Sequence, residues 1–435
     1  MSVPAVDQPV SPAPPASSTP VGTRGPVDTG APVGTGAWAE WLDDRTDAIV
    51  RSGQWRTIRS FDAAGPTGRL TDPSGSRARS RAGSRGETRE VTSFASNDYL
   101  GLANHPAVAA AAIDAIGRWG TGSGAARLVV GSRPVHHELE AELADWRGTD
   151  AALLLPTGFA ANLAALTTFG DSHTRIVSDE LNHASIVDGC RLARADVAVH
   201  AHADTDALEA ELDRADRDGV ERTIVVTDTV FSMDGDLAPL GCILDCCRAH
   251  GSLLVLDEAH AVLGPSLADY DTDGVDVIQV GTLSKTLGSL GGFVAGRAAH
   301  VDLIVNLARP FIFTTAPTPA DTAAALAALA IVRSTEGDEL RSRLRHHVER
   351  LAPGHPSPIL PVVVGAEDAA VALATALLDR GILVPAIRPP TVAAGTSRLR
   401  VALSAAHTDA QIETLATALA DLAPDLPVGA ASPHP

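Results

Sequence analysis

Cysteine is scarce in this chain: four among 435 residues, three of them bunched in GCILDCCRAH. They offer no paired framework of the secreted kind, which points to a reducing cytosol. Cys242 and Cys246 share one helical face, yet no second Cys/His pair at finger spacing follows. Buried apolar thiols are expected, and no metal. Basic residues are outnumbered as well, 34 Lys and Arg against 53 Asp and Glu, a net charge of −19. That balance argues against nucleic acid or an anionic membrane as a partner. An anionic substrate must then be drawn by local charge. The longest apolar stretches, such as AAALAALAIV, fall short of the roughly 20 residues of a membrane span. The opening MSVPAVDQPVSPAPPASSTPVGTRGP lacks both the basic and the apolar region of a signal peptide. A cytoplasmic protein is expected.

The length allows two or three domains with a large core. Residues 1–36 are Pro, Ala, Val, Gly, Ser and Thr without periodicity, a composition that predicts a disordered tail. From Trp38, WAEWLDDRTDAIVRSGQWRTIRSF carries helical spacing, and the arginines of RSRAGSRGETRE read as a solvated loop, so residues 37–90 form a helix and an Arg-rich loop segment. Beyond Val91, short apolar runs alternate with helical stretches: AALLLP, RIVSD, RTIVVTD, SLLVLDEAH, VDVIQVGTLSK, GGFVAG. Runs without polar alternation read as strands buried on both faces. Interleaved with helices, they predict an α/β fold whose large domain, residues 91–310, is built on a mainly parallel sheet. Residues 311–425, with a long Ala/Leu helix and then PILPVVVG, GILVPAIRPP and RLRVALS, predict a smaller α+β C-terminal domain, and 426–435 a short tail. No internal repeat is visible.

The stretch QVGTLSKTLGSLGG sets a single lysine, Lys285, in a run of Gly, Ser and Thr just after an apolar strand. A phosphate-cradling P-loop, a carbonyl-trapping Schiff-base lysine and a solvated loop lysine compete for it. The P-loop fails on spacing, because Ser284 precedes the lysine and Gly281 stands four positions before it. Upstream, SLLVLDEAH delivers Asp257 and His260 at another strand end. Ligands of such sheets bind at the carboxyl ends of the strands. A structural salt bridge would account for Lys285 and Asp257 alone. Pyridoxal phosphate accounts for more, since it needs a lysine for its aldehyde and an Asp to keep its ring nitrogen protonated. Thr157, Gly158 and Phe159 open a helix that aims N–H groups at an anion, His183 follows RIVSD, Ser232 follows RTIVVTD, and Thr282 and Ser284 flank the lysine. Five strand ends thus carry polar residues suited to one cofactor.

The ordered phrases FASNDYLGL, GFAAN, LNHASI, FSMDGD, LDEAHAVLG and TLSKTLGSLGG resemble the α-oxoamine synthases, from about Trp38 to Leu422. The resemblance implies an aspartate-aminotransferase-like (fold type I) transferase dependent on pyridoxal 5'-phosphate. Within the family, AIRPPTVAAGTSRLRVALSAAHT resembles the member that condenses L-alanine with pimeloyl-CoA, or a pimeloyl-carrier protein, on the way to biotin. By that likeness Lys285 bonds the cofactor's aldehyde, Asp257 pairs with its ring nitrogen, His183 stacks on the ring, and His260 bonds near its phenolic oxygen. Ser232 lies in the same shell. Gly158, Phe159 and Thr282 contact the cofactor around its phosphate, and Thr315 reaches the phosphate of the other subunit of a homodimer. Arg56, His183, Arg388, Thr391 and Arg400 serve the substrates. Two departures stand out. Asp228 replaces the family's usual Glu, and Ala125 and Ala126 replace Gly and Ser where the acyl group approaches. A synthase of other acyl or amino-acid choice, a catalytically dead protein on this fold and a nucleotide binder remain as alternatives.

Overall fold

The computed structural model describes residues 36–72 and 87–430. All of the expected N-terminal tail but Gly36, most of the Arg-rich loop and residues 431–435 lie outside the described residues. The chain divides into two units, Met1–Ile58 and Arg59–Pro435. In the first, a helix spans Ala37–Arg51, with Trp38 edge-on to Trp41 at 5.7 Å between ring centroids. It is shorter than its apolar spacing predicts. Gly53, at φ +68°, takes the left-handed conformation that ends helices, and the Arg56–Phe61 stretch that continued the spacing runs on into a strand beginning at Ser60.

In the second unit, seven strands form the main sheet in the order Ala151–Leu155, Gly292–Gly296, Val277–Thr282, Leu253–Asp257, Arg222–Asp228, Thr174–Asp179, Asp196–His200. Gly292–Gly296 runs antiparallel to both its neighbours, and the other pairings are parallel. The central strands are buried almost throughout, which is why their sequences run apolar without alternation. The edge strand Asp196–His200 is mostly exposed and mixes Asp and His with Val and Ala, a pattern that carried no strand signal. Helices Gly158–Phe169 and Ala184–Leu192 pack together on one face over Ala161, Ala164, Ala165, Leu166 and Ile186.

Two smaller sheets complete the unit. Ser60–Ala63, Thr67–Thr71 and Thr88–Ser93 form an antiparallel meander, and Ile382–Leu383 adds to Thr88–Ser93 in parallel. Early and late parts of the sequence therefore share one sheet. Ile359–Gly365, Ser397–Ala402 and Ala386–Ile387 form the third sheet. The Ala-rich helix Pro319–Val332 is largely buried against Pro106–Trp119 and Pro134–Arg147, as expected of a helix apolar all round. Among the described residues no helix is long and apolar enough to cross a membrane.

Candidate active site

Five parallel strands finish on one edge of the main sheet, and the loops leaving them carry Thr157 and Gly158, His183, Ser232, Asp257 with His260, and Thr282 with Lys285. The antiparallel strand enters at the same edge through Gly292, opposite both Leu155 and Thr282. A Cβ on Gly292 would stand 2.4 Å from the Thr157 carbonyl and 2.5 Å from the Gly158 nitrogen. Only glycine lets that helix start come so close to the strand. One on Gly158 would stand 3.2 Å from the Thr282 side chain. Thr157 caps the helix by accepting from Ala160 N, which leaves the N–H groups of Gly158 and Phe159 without an intrahelical acceptor. Beside this helix start, Thr282 Oγ1 lies 2.8 Å from Ser284 Oγ.

Lys285 Nζ is 2.8 Å from His260 Nε2, and His260 Nδ1 is 2.6 Å from the hydroxyl of the fully buried Tyr99. Tyr99 also reaches Asn97 Oδ1, which accepts from both terminal nitrogens of Arg400 at 3.1 and 3.2 Å. Arg400 Nε donates to the Ser232 carbonyl at 2.5 Å. Arg400 is buried and faces no carboxylate among the described residues, whereas its strand neighbour Arg398 is paired with Asp234. One guanidinium is paired with a carboxylate, and the other is held by uncharged oxygens alone.

A second chain of bonds starts at Asp257. Its carboxylate accepts from the buried Asn162 amide at 2.6 Å and from Ala259 N at 2.9 Å. The same Asn162 amide donates to Ser185 Oγ at 2.9 Å, which lies 2.7 Å from His183 Nδ1. Asp228, opposite Asp257 in the parallel register, accepts the His183 backbone N–H at 2.8 Å. The shorter acid in place of Glu is thus matched by a backbone donor within its reach.

Burial is the leading cause of each charge shift here. It lowers Lys285 from the usual lysine range, aided by the cation of Arg400 and opposed by Asp257 and Asp228. It lowers His260 well below an ordinary histidine, with Lys285, Arg400 and His183 adding to the effect. His183 is lowered too, against the pull of Asp257. Asp228 is raised well above a free carboxylate by burial and by Asp257, and the Tyr99 hydroxyl is pushed up to about 12. Two neutral imidazoles and an un-ionised phenol result, beside an amine of reduced basicity.

The sequence profile of the aminotransferase class I and II family matches residues 89–419. Curated proteins described as 8-amino-7-oxononanoate synthase are similar over most of the chain. That of Anaeromyxobacter dehalogenans (strain 2CP-1) is 49% identical over 354 residues, covering 78% of this chain and 88% of its own. That of Geobacter sulfurreducens is 44% identical, covering 80% and 94%. The chain belongs to the class I and II aminotransferase family. Among solved structures, the serine palmitoyltransferase of Sphingomonas wittichii is similar at a TM-score of 0.76 and 27% identity, covering 89% of this chain and 98% of that one. Another, described as SPT with a PLP internal aldimine, has a TM-score of 0.77 at 27% identity, covering 89% and 97%. Pyridoxal phosphate is the family's cofactor, and the donor set here suits it. An amine, a buried carboxylate, neutral imidazoles, and hydroxyls beside the free N–H groups of a helix start would meet its aldehyde, ring nitrogen, ring face and phosphate.

Of the residues singled out in the sequence, Lys285, His260, Ser232 and Arg400 join in one bonded network, and Asp257 and His183 join in another through Asn162 and Ser185. Gly158 and Thr282 meet beside them. Phe159 is 41% exposed at the helix start. Thr315 is exposed and bonds to neither network among the described residues. Arg388 and the exposed Thr391 lie in the loop between Ala386–Ile387 and Ser397–Ala402, where Thr391 N donates to the Arg388 carbonyl. Arg56 is an exposed residue of the first unit. Tyr99, Asn97, Asn162 and Ser185 were not singled out, although FASNDYLGL, GFAAN and LNHASI contain them.

Proposed function

We propose that the chain is a pyridoxal-phosphate-dependent acyltransferase that condenses L-alanine with pimeloyl-CoA, or a pimeloyl-carrier protein, releasing thiol and CO2 and giving 8-amino-7-oxononanoate in biotin biosynthesis. The observation that carries an amino-acid substrate is the buried Arg400 guanidinium, unpaired with any carboxylate among the described residues and bonded through Asn97, Tyr99 and His260 to Lys285. The choice of alanine and a pimeloyl thioester rests on relatives of that name at 44–49% identity.

Lys285 and Asp257 would hold the cofactor at its aldehyde and ring nitrogen, His183 against the ring face, His260 near the phenolic oxygen, and Gly158, Phe159, Ser232 and Thr282 around its other oxygens. Pyridoxal phosphate, when bound, supplies an electron sink for negative charge at the amino-acid Cα. Arg400 holds the alanine carboxylate by charge-assisted hydrogen bonds. Lys285, its basicity lowered chiefly by burial, takes the Cα proton, and the same lowering suits it to return one. The alanine Cα bonds to the acyl carbonyl carbon, the carbon–sulfur bond breaks, and the carboxylate leaves as CO2. Arg388 and Thr391 line the acyl path. The working enzyme is a homodimer in which Thr315 completes the partner's phosphate site.

Thiol release from pimeloyl-CoA in the presence of L-alanine tests the proposal, with glycine plus acetyl-CoA and serine plus palmitoyl-CoA as comparisons. Release with the first pair alone is expected. Release with only another pair would keep the Lys285 chemistry and reassign the substrates.

A further inference from the structure

Of the chain's 34 basic residues, all but Lys285 are arginine, so the sequence holds one side-chain amine. Lys285 is half-buried and follows the exposed Ser284 in the loop leaving the strand end. His260 Nε2 lies 2.8 Å from it, and Tyr99 closes the other side of the imidazole. Resting on the acyl-thioester reading above, we propose that Lys285 is also a self-acylation site: in cofactor-free enzyme its amine attacks the substrate thioester and keeps the acyl group as an amide.

The step balances without redox chemistry. A bond forms from Lys285 Nζ to the acyl carbonyl carbon and the carbon–sulfur bond breaks. The amine's proton passes to His260 Nε2 and from there to the departing thiolate, so amine and thioester become amide and thiol. Burial and Arg400 favour the nucleophilic neutral amine, against the opposing pull of Asp257 and Asp228. Pyridoxal phosphate, when bound, takes the same nitrogen, so saturation with cofactor guards the enzyme against its own substrate. An amide on the chain's α-amine would leave the bond after Lys285 cleavable, and cysteines give a different product. Cys190 and Cys247 are buried, with thiols pushed up to about 11 and about 12, and the exposed Cys242 would form a thioester, which hydroxylamine cleaves.

The full-length protein, stripped of cofactor or saturated with it, is incubated with pimeloyl-CoA or acetyl-CoA, treated with hydroxylamine, denatured and digested with a lysine-specific endoprotease. Unmodified chain is cut once, after Lys285. Acylated chain stays whole and weighs one acyl group more. Loss of the cut in stripped protein, its survival in saturated protein and no added mass in Lys285→Arg are expected. His260→Asn, lacking the proton acceptor, should slow the reaction by about 100-fold, and an unchanged rate would remove His260 from the step. The proposal is overturned if both thioesters leave the stripped protein cleavable, if the added mass is hydroxylamine-labile, or if the saturated protein is acylated equally. Failure of the saturated enzyme to turn over L-alanine with pimeloyl-CoA, while stripped protein still loses the cut, would remove the substrate assignment and leave the self-acylation standing.

Discussion

His407 joins the segment before Asn97 to the segment after Arg400, and it should make the enzyme acid-labile in a defined window. It is buried, stacked on Phe94 at 4.3 Å between centroids, with Nε2 on the Ser93 carbonyl and Nδ1 on the Ser404 backbone. Burial, outweighing those carbonyls, holds the imidazole down at about 4, against about 6.5 when unfolded. Above pH 6.5 neither state is protonated and His407 adds no pH dependence. Between 6.5 and 4 the unfolded chain binds a proton that the folded chain refuses, so stability falls as pH falls, by about 1.4 kcal/mol per unit and about 3 kcal/mol in all. At about 2 cal/mol/K per residue of unfolding entropy, a chain of 435 residues would lose about 1–2 °C in Tm per pH unit from this group alone. His407→Asn removes the titration. Its Tm is lower at neutral pH, but its decline between pH 6.5 and 4 should be shallower than the parent's by that amount. Parallel curves for the two proteins across that window would refute the reasoning.

Lys285→Ala should abolish both turnover and the visible absorbance of the cofactor-loaded protein, and a variant that keeps either would end the assignment of this residue. Arg400→Met should raise KM for L-alanine by roughly 10–150-fold, the worth of about 1.5–3 kcal/mol of charge-assisted hydrogen bonding, with KM for the thioester nearly unchanged; steady-state kinetics with each substrate varied in turn decides it. Asn162→Ala strips Asp257 and Ser185 of a shared buried donor and should weaken pyridoxal phosphate binding by roughly 5–150-fold, read from the absorbance titration. Gly292→Ala drives a methyl against the Thr157 and Gly158 backbone and should cost at least about 1 kcal/mol, measured as a fall in Tm with weaker cofactor binding.

The main sheet was legible because buried parallel strands announce themselves as unbroken apolar runs, and five of those runs, from Ala151–Leu155 to Val277–Thr282, ended in residues with chemistry. Lys285, Asp257 and His260 could be paired from strand order alone. The bonds between them could not. Asn97 and Arg400 are 303 positions apart, and Tyr99 and His260 are 161 apart, so only the register of the small sheets against the large one brings them together. Asn162 reads in sequence as one more residue of an Ala-rich helix, and its role appears only when that helix lies beneath Asp257. The N-terminal helix was overdrawn for the opposite reason: spacing continued past Gly53 into residues that the second sheet recruits.

The pairing of Asn97 with Arg400 also fixes when the enzyme is finished. During synthesis, Asn97 and Tyr99 emerge early, while the guanidinium that bonds Asn97 is translated only after the whole main sheet. A chain cut short before Arg400 would lack, with that guanidinium, the Val401, Leu403 and Ile412 side chains that pack with Tyr99 and Leu154 in one core, so the grip on a carboxylate and the closing of that core arrive together.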